Sequence, residues 1–94
     1  EDARTAVLCA SDIFALELLN QFRGRGLRVP RDVGLAGFDS IDALRFISPR
    51  ITTVEYPIQR MGELAFALLA EGPKGGADLP QIELEPEILW GESV

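Results

Sequence analysis

A mixed α/β layer built on a mainly parallel sheet is the fold class this sequence predicts, on three observations. Short runs of small and β-branched residues alternate with segments of helical spacing, so the order reads strand, helix, strand, helical turn, strand, helix, strand. The first two strand-like runs lack the alternating polarity of a sheet wetted on one face, which marks strands covered on both sides. Finally, 94 residues that are 47% hydrophobic and 26% charged supply one modest core and no more.

The first strand is TAVLCA, residues 5–10. Ser11 and Asp12 follow with side-chain oxygens suited to a helix N-terminus, and good helix formers continue from Ile13 to about Arg23. At helical spacing Phe14, Ala15, Leu18, Leu19 and Phe22 share an inward arc, with Leu16 at its edge and Glu17, Asn20 and Gln21 opposite. Ile13 falls outside that arc, which reads either as a second contact surface or as an ordinary exposed hydrophobe. Arg23 and Arg25 suit the negative end of the helix, Gly26 suits a left-handed cap, and Leu27 and Pro30 close the turn.

A second covered strand spans 33–38, VGLAGF, and its glycines imply close approach of a neighbouring backbone or helix. It ends at Asp39. A helical turn over 42–47 stops at Ser48 and Pro49, because a residue before proline is pushed out of the helical region. ITTVEY, 51–56, is β-branched and forms the third strand. Pro57 fits the first turn of a helix reaching Glu71, with Ile58, Met61, Leu64, Ala65, Leu68 and Leu69 on its apolar stripe; Gly72 and Pro73 end it. Residues 72–80 are turn-forming and the stretch expected to move most. From 82 to 90 apolar and acidic residues alternate around Pro86, the signature of an edge strand broken in two.

Composition removes several functions. A net charge of −6 disfavours direct grip on a nucleic-acid backbone. With no histidine and one cysteine, His/Cys metal sites, histidine-based triads and an internal disulfide are not expected, and Cys9 in a covered strand should be inert. No catalytic residues, metal or cofactor are assigned. Nothing approaches the roughly 20 apolar residues of a membrane span, and the charged start carries no leader pattern, so a cytoplasmic protein without membrane contact is the expectation.

In open parallel sheets ligands gather beyond the carboxyl ends of strands. The first strand ends in Ser11 and Asp12 and the second in Asp39 and Ser40, so adjacent parallel strands would bring four oxygen-bearing side chains to one edge. Carboxylates there accept hydrogen bonds from hydroxyls, which suits a sugar, polyol or ribose. Asp39 reads as a ligand contact or an Asx-turn residue, Ser11 as cap or ligand, and Asp12 first as a cap.

The stretch TAVLCASDIFALELLNQFRGRGLRVPRDVGLAGFDS, followed by SPRITTVEYPIQRMGELAFALL, closely resembles the C-terminal part of LacI/GalR-family transcriptional regulators. The resemblance rests on Ala10, Ser11, Asp12 and Ala15; Gly26, Leu27, Val29, Pro30, Asp32 and Val33; Gly37 to Asp39; Pro49, Thr52 and Thr53; and Pro57, Met61 and Gly62. It implies a partial periplasmic-binding-protein-like, Rossmann-like three-layer fold: a parallel sheet with flanking helices and a C-terminal edge strand. Residues 1–53 and 81–94 would belong to one subdomain, and 54–80 to the hinge crossover and a helix of the other.

The implied function is sensing of a small effector, a sugar or purine-like molecule, in the cytoplasm. DNA would be reached only through an N-terminal helix-turn-helix that this stretch lacks; a transport-type solute receptor with the same fold is the alternative. The resemblance places Asp39, Ser11, Tyr56 and Ile58 at the effector, and Ile13, Leu16, Asn20, Leu44, Phe46 and Ile47 at a homodimer interface. It also implies that the chain is a fragment. The stripe of the second helix, short of partners, is then expected to be buried against the chain's own sheet or a second copy, since each large side chain left wet would forgo roughly 1.5–3 kcal/mol.

Overall fold

A computed structural model describes residues 4–72 and 81–94. The elements are β1 (Ala6–Leu8), α1 (Asp12–Gly24), β2 (Gly34–Ala36), a 3-10 turn (Asp42–Phe46), β3 (Thr53–Glu55), α2 (Ile58–Glu71) and β4 (Glu87–Leu89). Two units result: residues 1–55 with 87–94, and residues 56–86.

In the first unit β1 pairs parallel with β2 in the register Ala6↔Gly34, Val7↔Leu35, Leu8↔Ala36. A parallel bridge from Ala36 to Thr52 continues the sheet. β3 then pairs antiparallel with β4, Val54 opposite Ile88. The sheet thus runs β1, β2, β3, β4, parallel at its start with an antiparallel strand at its end. The 91–93 tail closes the gap beside β2: the Leu35 amide donates to the Ser93 carbonyl at 2.8 Å, and the Glu92 amide to the Arg50 carbonyl at 2.6 Å.

Ala15, Leu19, Leu35, Leu44 and Ile51 make the core, with Val7, Cys9, Leu16, Leu18, Phe22 and Ile47 among those packed on it. Each fully buried Leu or Ile contributes roughly 1.5–3 kcal/mol. α1 ends as its sequence predicts. Gly26 has φ 77°, the Leu27 amide donates to the Phe22 carbonyl at 2.9 Å and the Gly26 amide to the Arg23 carbonyl at 3.1 Å, a Schellman cap. The Arg23 guanidinium donates to the Ser48 carbonyl.

Three expectations need correction. Phe14 is 62% exposed, because the inward face of α1 is centred on Asp12 and Leu19, and Phe14 lies roughly 160° round the helix from Asp12. β1 is covered on one face only: Val7 packs on the core, while Ala6 and Leu8, on the other face, are exposed. Of the 82–90 strand only Glu87–Leu89 forms, since residues 81–86 hold no strand and Pro86 has no amide hydrogen to give. The turn-forming stretch lies, from residue 73 onward, outside the described residues.

In the second unit, α2 begins after Pro57, whose carbonyl accepts the Met61 amide at 2.9 Å, and closes at Gly72 with φ 70°. Within this unit, among the described residues, no residue of α2 is buried.

Candidate functional site

Parallel pairing of β1 and β2 puts their carboxyl ends at one edge. The Cys9 amide donates to the Ala36 carbonyl at 2.8 Å and the Asp12 amide to the Phe38 carbonyl at 2.9 Å, so the two strand exits run side by side through Ser11 and Asp39.

Ser11 is the N-cap of α1. Its extended backbone (φ −151°) lets Oγ accept the Phe14 amide at 3.3 Å, which leaves the hydroxyl proton to donate outward. Asp39 is half-buried, and its amide donates to the Val54 carbonyl at 3.0 Å. Asp39 (φ 123°) and Ser40 (φ 60°) both occupy the left-handed half of backbone space, at a cost of roughly 1–3 kcal/mol each. Such strain persists only where surrounding bonds over-determine it, and here they do. Besides the Asp39 bond, the Ser40 amide donates to Thr53 Oγ1 at 3.2 Å and the Ile41 amide to Asp12 Oδ2 at 2.9 Å. Three successive amides of the turn are held.

Asp12 departs from both roles read for it. It is fully buried; the Thr53 hydroxyl donates to its Oδ1 at 2.7 Å and the Ile41 amide to its Oδ2. Its side chain therefore neither caps α1 nor faces a ligand, and of the four oxygen-bearing residues only Ser11, Asp39 and Ser40 remain partly accessible. Gly37 makes room for it, since a Cβ there would stand 2.2 Å from Asp12 Oδ1. The glycines of the second strand did signal close approach; Thr53 as partner of Asp12 was missed, because 41 residues separate them.

Beyond the turn, Ser40 and Thr53 border a hollow of about 280 Å³, whose rim includes Arg45 and Trp90. That is near the lower limit of ordinary small-molecule sites. Burial pushes the Cys9 thiol up, away from reactivity. Among the described residues no group of three or more His, Cys, Asp or Glu side chains could hold a metal ion, and no helix is long and apolar enough to cross a membrane.

Tyr56 and Ile58 belong to the second unit, Tyr56 half-buried and Ile58 exposed in the first turn of α2. Of the residues expected at a dimer interface, Ile13 (60%) and Phe46 (84%) are widely exposed and Asn20 is exposed, while Leu16 and Ile47 are half-buried on the core. Leu44 is withdrawn from that set: it is 6% exposed inside the core cluster and has no surface to offer.

The family model of the periplasmic binding protein-like domain matches residues 1–94. The chain is 36% identical over 95 residues to the HTH-type transcriptional repressor PurR of Photobacterium profundum, covering 100% of this chain and 28% of that protein. Among solved structures it is similar to a transcriptional regulator CelR–cellobiose complex, with TM-score 0.84 and 33% identity over 95% of this chain and 28% of that one. It is also similar to a LacI family transcriptional regulator from Enterococcus faecium with bound ribose, with TM-score 0.82 and 26% identity over 99% of this chain and 35% of that one. The chain thus spans under a third of the curated relative it matches.

Proposed function

The chain belongs to the periplasmic binding protein-like domain family, in the form that LacI/GalR-type regulators use for effector binding, and we propose that it supplies one wall of a cleft that senses a small polyhydroxylated molecule. The observation that carries this reading is the parallel pairing of β1 and β2, which brings the Ser11 hydroxyl and the Asp39 turn to one carboxyl edge. A carboxylate that accepts from ligand hydroxyls, beside a serine with a proton to give, suits a sugar or the ribose of a purine-like effector. The regulators with bound ribose and cellobiose support the sugar class.

The role is sensing rather than catalysis. In the whole protein, occupancy of the cleft shifts the population between two arrangements and is passed to DNA by a helix-turn-helix outside this stretch, in the cytoplasm. Relatives named as transcriptional regulators favour this over a transport receptor. The protein works as a homodimer through Ile13, Phe46 and Asn20, flanked by Leu16 and Ile47.

Calorimetric titration of the full-length parent with D-ribose and cellobiose tests the reading. Asp39→Ala lowers affinity roughly 10- to 100-fold, the loss of one charge-assisted hydrogen bond, with the circular dichroism spectrum unchanged. Absence of sugar binding by the full-length parent, or equal affinity in its Asp39→Ala variant, overturns it.

A further inference from the structure

We propose that Asp12, acting through Thr53, is a positioning residue that fixes the Asp39–Ser40 turn in its ligand-reading shape; this rests on the reading of Asp39 as a ligand contact. The helix does not need the Asp12 side chain, because Ser11 already caps α1. An aspartate with no solvent exposure is costly unless hydrogen-bonded; one of its bonds goes to the turn itself, at the Ile41 amide, and the other to Thr53 of β3, whose hydroxyl holds the Ser40 amide.

The bonding has a direction. The Ser40 amide donates to Thr53 Oγ1, and the Thr53 proton goes on to Asp12 Oδ1. A hydroxyl has a single proton, so its donation to Asp12 leaves its lone pairs for Ser40. At position 12 both oxygens accept. An amide there would lose the charge and face its NH2 either to the Ile41 amide, donor against donor, or to the Thr53 hydroxyl, which must then reverse and leave its own proton without the acceptor it has now. Gly37 leaves the space the carboxyl group occupies, and any Cβ would collide with it. Asp12, Thr53 and Gly37 therefore act together on residues 39–41, whose φ values of 123° and 60° at Asp39 and Ser40 would otherwise relax. Relaxation would change the direction in which position 39 presents its side chain.

The test compares Thr53→Val, which removes the hydroxyl, with Thr53→Ser, which keeps it, and with Asp12→Asn, in this chain by residue-resolved amide hydrogen exchange. In Thr53→Val and Asp12→Asn, exchange at Ser40 and Ile41 rises roughly 10-fold or more beyond any change at Leu19 and Leu35, and Thr53→Ser stays within about threefold of the unmodified chain. In the full-length parent, affinity for whichever of D-ribose and cellobiose binds falls in the same two variants and is kept in Thr53→Ser. Uniform exchange increases across turn and core, or a serine variant as loose as the valine variant, overturns the positioning role. Should Thr53→Val not fold, Asp12→Asn against Thr53→Ser decides on the same readout. Sugar affinity unchanged by Asp39→Ala would overturn the ligand reading and the positioning role with it, whereas an unloosened turn in Thr53→Val overturns the positioning role alone.

Discussion

The Ser93 hydroxyl accepts the amide of Thr52 at 2.8 Å and donates to the carbonyl of Leu35, so one buried side chain joins two backbones, 41 and 58 residues earlier. Ser93→Ala strands the Thr52 amide in a site closed to solvent. Unfolding free energy in urea should fall by about 1–3 kcal/mol, the cost of an unmet buried donor; a change within experimental error would show the contact to be idle.

Two glycines should respond in opposite directions. A Cβ on Gly91 would stand 2.3 Å from the Arg50 carbonyl oxygen, and backbone cannot swing aside as a side chain can. Gly91→Ala is expected to destabilise by about 1–3 kcal/mol in the same assay. Gly62, inside α2, has open space where a Cβ would sit, with no atom within 4 Å. Gly62→Ala should raise helix content by circular dichroism, consistent with roughly 0.5–1 kcal/mol in helix propensity.

Backbone strain at Ser40 gives a third expectation. With φ at 60° and its amide already bonded to Thr53, position 40 needs no side chain to keep its shape. Ser40→Gly should raise the thermal midpoint, for a gain of about 1 kcal/mol, as the left-handed penalty is lifted. A lowered midpoint would count against that conformation.

Acid should loosen the turn after α1. The Arg28 amide donates to Asp32 Oδ2 at 2.7 Å and the Arg28 guanidinium at 3.1 Å, and together they hold the Asp32 carboxyl below its usual range. A depressed folded-state value means stability present above the ordinary carboxylate pKa and lost as pH falls through the folded one. Carboxyl carbon NMR titration should place the Asp32 midpoint below that of a free aspartate. Arg28→Ala should recover only part of the difference, because the backbone bond is the larger cause and survives the substitution.

Much of this architecture is legible in particular residues. Gly26, Gly72 and Pro57 mark the helix ends within about a residue, and Gly37 announces a crowded backbone. The azimuth of α1 is only partly legible: the wheel sets Asp12 about 20° from Leu19 at the margin of the apolar arc, and only Ile41 and Thr53, 29 and 41 positions on, make that margin the centre of the buried face. For the same reason the edge carrying Ser11 and Asp39 could be placed from strand order, while the bonds shaping its turn could not. Leu44 stood among the interface residues on the family resemblance, and a short helical turn has too few residues to show which side faces the core.

Self-association offers a further check. Ile13→Asp with Phe46→Asp should shift the protein toward monomer in sedimentation velocity, with the circular dichroism spectrum preserved, since both side chains already lie outside the core. Sedimentation identical to the parent would remove these two from the proposed dimer contact.

The stitching of Leu35, Arg50 and Thr52 by residues 91–93 bears on how the chain is born. A ribosome delivers residues in order, so the middle of the sheet waits with open valences until the tail emerges from the exit tunnel. Early helices can form during synthesis, but the sheet locks only afterwards, in one late step dominated by distant pairings. Ribosome-stalled chains ending before residue 91 should therefore be cut readily by protease within residues 34–53, and chains extended far enough to free Ser93 should resist.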